Sequence, residues 1–334
     1  MERQYVGIDL HRRTSTIHQM AADGTVLGTA RVKSQPMELA QVMADAGPEP
    51  EVVLESTYGW YWAADLLQEL GANVHLAHPL GNNWGNRRVK NDERDAQDLA
   101  AMLRLGRLAE GWIAPPRVRE LRELVRYRFR LVHHRTSCKA QIHGVMAKNG
   151  VLPARGFMWG PGGAAQLDAL ELPMAYTLRL ESLRDLLAYY DREIAMLNRR
   201  IHQEFEHDAG YNAIRRIDGV GKVIGAIFCA EIGDVTRFAS PERLCSWAGL
   251  TPKHRESDDK VNRGPITKQG SPLVRWAAIE AISKYRGGAK LRDDYLRIAA
   301  RRGKFKARVA VARKLLTLVF YGLRDGEIRC LQTA

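Results

Sequence analysis

Four carboxylates in the first third of the chain have the types and spacing for metal-assisted phosphodiester chemistry. Asp9 closes the apolar run Tyr5-Val-Gly-Ile-Asp9, and Glu55 closes Val52-Val-Leu-Glu55. Asp92 and Asp95 lie three apart at the head of a helical segment, Asn91 to Leu103. Acids converging on one point repel each other unless a divalent cation neutralises them, and hard oxygen ligands suit Mg²⁺ or Mn²⁺. Two such ions about 4 Å apart can activate a nucleophile and stabilise a leaving oxygen. A plainer reading stands beside this one. An acid at a strand end is commonly a solvated cap or turn former. Residues three apart share a helix face, so Asp92 and Asp95 can reach one ion, with Asp98 continuing that face. Equally, Asp92 can be an N-cap, with Glu93 and Asp95 favouring the helix dipole. Spacing alone leaves both open; the elements around the acids favour the metal site.

Those elements alternate. Val6–Leu10 and Ser15–Ala21 read as strands, Asp23-Gly24 supplies a hairpin turn, and Thr25–Val32 returns as a third strand. A helix over Met37–Ala46, a strand Glu51–Glu55 and a helix Trp60–Leu70 capped by Gly71 follow. Val74–Ala77 is a fifth strand, and a helix runs from about Asp92 to Leu105. Three antiparallel strands, then helix, strand, helix, strand, helix, is the ribonuclease-H order. It predicts an α/β domain over residues 1–112 that brings the four acids together.

Pro115-Pro116 breaks the chain, and residues 113–207 then read as a basic helical region. Arg117–Lys148 is one long helical pattern, and between Pro115 and Arg155 ten Lys+Arg face two acids. The Gly/Pro-rich stretch Gly156–Gly163 interrupts it. Met174–Phe205 is a second amphipathic helix, with Leu180, Leu183, Leu187, Ile194, Leu197 and Ile201 at spacings of three, four and seven. The pair predicts an antiparallel helical hairpin and a candidate dimerising coiled coil. In residues 208–334, Ile217–Ile227 resembles a helix-hairpin-helix whose Gly-x-Gly turn presents N–H groups to a phosphate. Gly249-Leu-Thr-Pro252 marks a turn, a polar loop continues to Gly270, and helices cover Leu273–Tyr285 and Ala307–Leu323. From Lys284 to Lys314 twelve Lys+Arg stand against two acids.

A charge run is usually a solvated helix face, but a solvated face mixes signs at i, i+4, and these do not. Tyr127 and Phe129 between Arg126, Arg128 and Arg130, and Phe305 within Arg301-Arg302-Gly-Lys304-Phe-Lys306, add stacking surface. With Lys139, Lys222, Lys253, Arg255 and Arg263, these are the candidate nucleic-acid contacts. The 334 residues carry 51 Lys+Arg against 38 Asp+Glu, a net charge of +13, which favours a polyanionic partner. No apolar stretch has the length to cross a bilayer, and the N-terminus has no signal-peptide pattern, so a cytoplasmic protein without a membrane role is expected. Cys138, Cys229, Cys245 and Cys330 are far apart, which reads as reduced thiols rather than disulfides or zinc. In the polar loop, Ser257 has in its favour only that His254, Arg255 and Arg263 lie nearby to bind or polarise a phosphate.

Taken together, Gly-Ile-Asp9, Glu55-Ser-Thr-Tyr-Gly, Lys90-Asn-Asp92-Glu-Arg-Asp95-Ala, Pro-Pro116, Gly219-Val-Gly, Ala248-Gly-Leu-Thr-Pro252 and Glu256-Ser257 resemble the DEDD insertion-sequence transposases, the bridge-RNA-guided IS-one-ten family. The likeness runs in order along essentially the whole chain. Asn91 stands where these proteins often carry Thr, and Asp258-Asp259 replaces a more usual small-residue stretch. The resemblance implies a RuvC-like N-terminal domain, a coiled-coil middle, and a mainly helical C-terminal transposase domain supplying a nucleophilic Ser257. It also implies a structured guide RNA that pairs with target and donor DNA, and dimers assembling into a tetramer. There the carboxylates of one subunit work with the serine of another, in a bacterial cell at the nucleoid. Two readings compete: a Holliday-junction-resolvase-like endonuclease using water as nucleophile, and a non-catalytic nucleic-acid-binding protein.

Overall fold

A computed structural model describes residues 3–79, 81, 91–153, 158–258, 260–284 and 289–331; the side chains of 257, 260, 261, 263, 289 and 290 lie outside that description, as does Lys90. The chain divides into two compact units, Met1–Ala114 and Pro115–Ala334.

The first unit is a mixed sheet with helices on both faces. Strands β1 (Tyr5–Leu10), β2 (Thr14–Met20) and β3 (Val26–Lys33) form an antiparallel meander. After helix α1 (Pro36–Ala44), β4 (Glu51–Glu55) joins β1 in parallel; after α2 (Trp60–Glu69), β5 (Asn73–Ala77) joins β4 in parallel. Helix α3 (Asp92–Arg104) and the short β6 (Glu110–Gly111) complete a sheet of order β3-β2-β1-β4-β5-β6. This mixed α/β arrangement is consistent with a ribonuclease-H-like domain.

Strand alternation sorts the central residues between the two faces. Val6, Ile8, Leu10, Val52 and Leu54 pack with Leu39, Ala63, Ala64 and Leu67 of α1 and α2. The intervening positions face α3, where Val53 and Ala77 meet Leu99 and Leu103. Gly7 lies on this second face because the α3 backbone passes directly over it: a Cβ there would fall 2.0 Å from the Ala96 carbonyl oxygen. Asp9 and Glu55, two residues beyond Gly7 and Val53, share that face by the same alternation.

The second unit is mainly helical. Helices α4 (Pro116–Lys148) and α6 (Met174–Phe205) run antiparallel, as Arg128–Asn198, Arg135–Asp191 and Gln141–Arg179 contacts record. Their distal seam of Cys138, Ile142, Met146, Leu180, Leu183 and Leu187 is covered by Met158 and by Leu167 of α5 (Pro161–Asp168), a helix concealed in the sequence by its glycines. The stripe from Leu180 to Ile201 is therefore the intramolecular seam with α4, not an outward dimer face. Helices α7 (Ala209–Ile214), α8 (Lys222–Ile232), α9 (Pro241–Trp247), α10 (Pro272–Lys284), α11 (Ala289–Arg302) and α12 (Lys304–Asp325) complete the unit. The segment expected as an open polar loop contains a hairpin, β7 (Pro252–Ser257) and β8 (Lys260–Ile266). Polar residues predominate in both strands and no apolar alternation marks them in the sequence, while Asp258 at φ +52° supplies the left-handed turn residue.

Candidate functional site

Asp9 ends β1, and α3 begins beside it. Asn91, not Asp92, is the N-cap of α3: its side-chain oxygen accepts a hydrogen bond from the Glu93 N–H at 3.1 Å. That leaves Asp92 as the first helical residue, its carboxylate available to the sheet. His11, one residue beyond the strand, brings its Nε2 to 3.2 Å from Asp9 Oδ2 and 3.4 Å from Asp92 Oδ1. Ligand atoms of Asp9, His11 and Asp92 lie within 4.8 Å of one another, grading from buried Asp9 to exposed His11, which opens the site to solvent on one side.

Glu55 and Asp95 fall outside this tight group among the described residues. Asp95 is only 6% exposed on the sheet-facing side of α3 with Ala96, Leu99 and Ala100. Glu55 follows Leu54, the partner of Ile8, so it neighbours Asp9 on the adjacent strand. Of the four expected acids, Asp9 and Asp92 are gathered with His11, while Glu55 is placed by its strand register and Asp95 by its helix face, both outside that 4.8 Å group. Two oxygen donors and an imidazole nitrogen fit a divalent ion of the Mg²⁺ or Mn²⁺ type, with the nitrogen tilting the preference toward Mn²⁺. His11 was missed in sequence. The only signal is its place two residues after a strand-ending aspartate, and a lone histidine there is seldom singled out.

Ser257 ends β7 at the tip of the hairpin, its backbone in register with Lys260. Its side chain and that of Arg263 lie outside the described residues. Before it, Lys253 and Arg255 are exposed, and His254 Nε2 lies 3.4 Å from Glu256 Oε2. Lys222 is exposed in the first turn of α8, behind the left-handed Gly219.

Three of the basic candidates are engaged within the second unit. Arg126 donates to both oxygens of the buried Glu231 at 2.6 and 3.0 Å, and Ser271 Oγ donates to the same carboxylate at 2.9 Å. Arg128 donates to Asn198 Oδ1 at 3.0 Å, and burial lowers its pKa. Lys139 sits 4.6 Å over the Trp159 ring, with its pKa lowered chiefly by burial. Their partners lie as far as 105 residues away in sequence, so local charge counting could not find them. Arg130, Arg301, Arg302, Lys304 and Lys306 are exposed, the last four around the α11–α12 corner with Phe305, which is 81% exposed.

A model described as a transposase, of the DEDD type and IS110 family, matches residues 6–149, and one described as "Transposase IS116/IS110/IS902 family" matches residues 211–295. The chain belongs to the IS110 family of transposases. Members of this family are DNA-cleaving and rejoining enzymes. Among its relatives is a probable family 20 transposase of Pseudomonas aeruginosa, 25% identical with 82% of each chain covered. The transposase for insertion sequence element IS1111A of Coxiella burnetii is 24% identical over 97% of this chain and 91% of its own. The pilin gene-inverting protein of Moraxella bovis is 28% identical over 43% of this chain and 47% of its own. The acid corner lies wholly within the first match, whereas Ser257 lies within the second. Among the described residues of this transposase no helix is long and apolar enough to cross a membrane.

Proposed function

We propose that this transposase cleaves and exchanges DNA strands under the guidance of a structured RNA, with Ser257 as nucleophile and Asp9, Glu55, Asp92 and Asp95, joined by His11, as the metal-binding half of the site. The observation that carries the reading is the gathering of Asp9, His11 and Asp92 within 4.8 Å, with Asp95 buried beside them. A bound Mg²⁺ or Mn²⁺ supplies charge neutralisation at the scissile phosphate. The Ser257 hydroxyl gives up its proton, its oxygen attacks phosphorus, and the strand's leaving oxygen departs with the bonding pair and takes up a proton. A free hydroxyl on another strand reverses the step, releasing serine and forming the new phosphodiester, so no external energy source is needed.

In this reading residues 1–112 form the RuvC-like metal domain, 113–207 the coiled-coil region and 208–334 the transposase domain carrying the serine. Dimers assemble into a tetramer in the bacterial cytoplasm at the nucleoid, and the acids of one subunit meet the serine of another. Support for self-association comes from the face of α6 opposite its α4 seam, where Met174, Leu178, Leu186, Tyr189 and Met196 are 41–76% exposed. The exposed cations Arg130, Lys222, Lys253 and Arg255 serve as phosphate contacts.

The test is a covalent one. With donor DNA and Mg²⁺ the native chain should form a protein–DNA adduct released by phosphoserine cleavage, and Ser257→Ala should abolish it; an adduct undiminished in Ser257→Ala refutes the nucleophile. Asp9→Asn should stop strand cleavage while leaving RNA binding intact. Cleavage retained in Ser257→Ala but lost in Asp9→Asn is the outcome for the runner-up, a resolvase-like enzyme using water, which the self-contained donor set within one unit favours. Sequencing RNA that co-purifies with the protein tests the guide: a discrete structured species from the flanking DNA is expected, and its absence removes RNA guidance.

A further inference from the structure

Helices α10, α11 and α12 line a cleft of about 480 Å³ open to solvent, with Ser283 of α10, Arg292 and Tyr295 of α11, and Arg308 of α12 in its walls and aliphatic surface from Leu291 and Val311 among others. Two guanidinium groups on neighbouring helices line one space, and among the described residues neither is paired with a carboxylate. The acids nearest in sequence do not answer them. Asp294 is held by Arg297 and Lys314, which keep its carboxyl below the usual range, and Asp293 points to solvent on an exposed position. Elsewhere in the same unit arginines find acids: Arg126 with Glu231, Arg117 and Arg200 with Glu204, Arg135 with Asp191, Arg184 with Asp168. Arg292 is exposed and Arg308 half-buried, so an anion entering the cavity would meet two guanidinium groups not committed to a carboxylate among the described residues. The remaining lining is a phenol ring, a hydroxyl and aliphatic side chains, and cavities of about 300–1,000 Å³ with few polar groups are the size and character of small-ligand pockets.

We infer that this cavity takes one phosphorylated nucleoside unit, its base against Tyr295 and the aliphatic wall and its phosphate between Arg292 and Arg308. The inference rests on the nucleic-acid partner of the proposed function. It adds a specific holding point for an unpaired nucleotide of a strand. The exposed corner Arg301-Arg302-Gly303-Lys304-Phe305-Lys306, where α11 gives way to α12, extends the same cationic surface along which the strand's backbone would continue.

A photocrosslinking experiment with the full chain tests this. A short single strand carrying one 5-iodouracil should crosslink to the peptide containing Tyr295, and Arg292→Gln/Arg308→Gln should abolish that crosslink. The same double variant should weaken binding of the short strand by at least about tenfold, from two charge-assisted contacts. It should also flatten the slope of log affinity against log salt by about 0.7, the value for one phosphate on a single strand. Arg199→Gln/Arg216→Gln removes two exposed charges outside the cavity and serves as the control, expected to leave the Tyr295 crosslink in place. No crosslink at Tyr295, or equal losses in both double variants, overturns the pocket. Uridine monophosphate binding that the cavity variant abolishes, without any crosslink to the strand, would assign the site to a free nucleotide and overturn its role on the strand. Metal-dependent cleavage is measured on the same samples: cleavage with no Tyr295 crosslink fails the pocket alone, whereas the crosslink without cleavage fails the enzymatic reading alone.

Discussion

Gly7→Ala tests whether close passage of α3 over β1 builds the acid corner. The added methyl would sit 2.0 Å from the Ala96 carbonyl oxygen and 2.7 Å from the Ala100 nitrogen, both main-chain atoms of a buried helix face. Contacts of that kind do not persist below 3.0 Å, so α3 must recede by about 1 Å, an overpacking strain of about 1–3 kcal/mol. For a unit of this size the loss corresponds to a fall in Tm of roughly 4–12 °C. The functional consequence is sharper than the thermal one. Asp92 and Asp95 travel with α3 while Asp9 stays on β1, and sites of this kind tolerate displacements of only about 0.5 Å. Mn²⁺ affinity, read by EPR titration at a temperature where the variant is folded by circular dichroism, should therefore fall well before the fold does. A variant that melts like the native protein refutes the packing argument; one that melts lower yet binds Mn²⁺ undiminished refutes the claim that this contact positions the acids.

Three further outcomes are expected. Glu231→Ala removes the buried carboxylate to which Arg126 and Ser271 donate, and should cost about 3 kcal/mol in urea unfolding, the lower end for a broken buried pair because Arg126 is partly solvated; Arg126→Met with Glu231→Leu should recover much of it. Asn91→Ala removes the α3 cap and should cost about 1 kcal/mol, with Asn91→Asp restoring stability, both read by thermal unfolding. His18, buried with Nδ1 3.0 Å from Thr29 Oγ1, has a pKa lowered by burial from 6.5, so the unfolded chain takes up the proton first. Stability is then complete above pH 6.5 and declines as pH falls through 6.5 toward the folded value, and His18→Gln should remove that part of the pH slope.

The first unit was legible because its signals are local. Alternation in Val6-Gly-Ile-Asp9, the Asp23-Gly24 turn and the apolar run Val52–Leu54 each fix a strand without knowledge of its partners, and strand order follows from the connections. What was not legible depended on contacts across the chain. Arg126 looked like a phosphate contact until Glu231, remote in sequence, claimed it. The stripe on α6 looked available for a partner chain until α4 covered it, leaving the weaker Met174–Met196 face outside. Helix α11 has few apolar residues beyond Leu291, Leu296 and Ile298, too few to mark a buried face in a highly charged segment. His11 acquires meaning only when α3 delivers Asp92 beside it.

The acid corner also explains how a folded chain can hold converging carboxylates before any cation arrives. Asp92 and Asp95 both lie in the first turn of α3, where the unsatisfied N–H groups carry partial positive charge, and that effect is confined to the terminal turn. Had α3 met the sheet through its other end, the same acids would face the negative end of the helix. The Asn91 cap satisfies the Glu93 N–H, so Asp92 need not turn back to serve the helix and can lean toward Asp9. His11 places its Nε2 within 3.4 Å of both carboxylates, where an N–H can be shared between them. The fold thus offers the acids partial compensation from a helix end and an imidazole. That compensation is weak and replaceable enough for a divalent ion to compete with it, which a site compensated by a buried arginine, such as Glu231 with Arg126, would not permit.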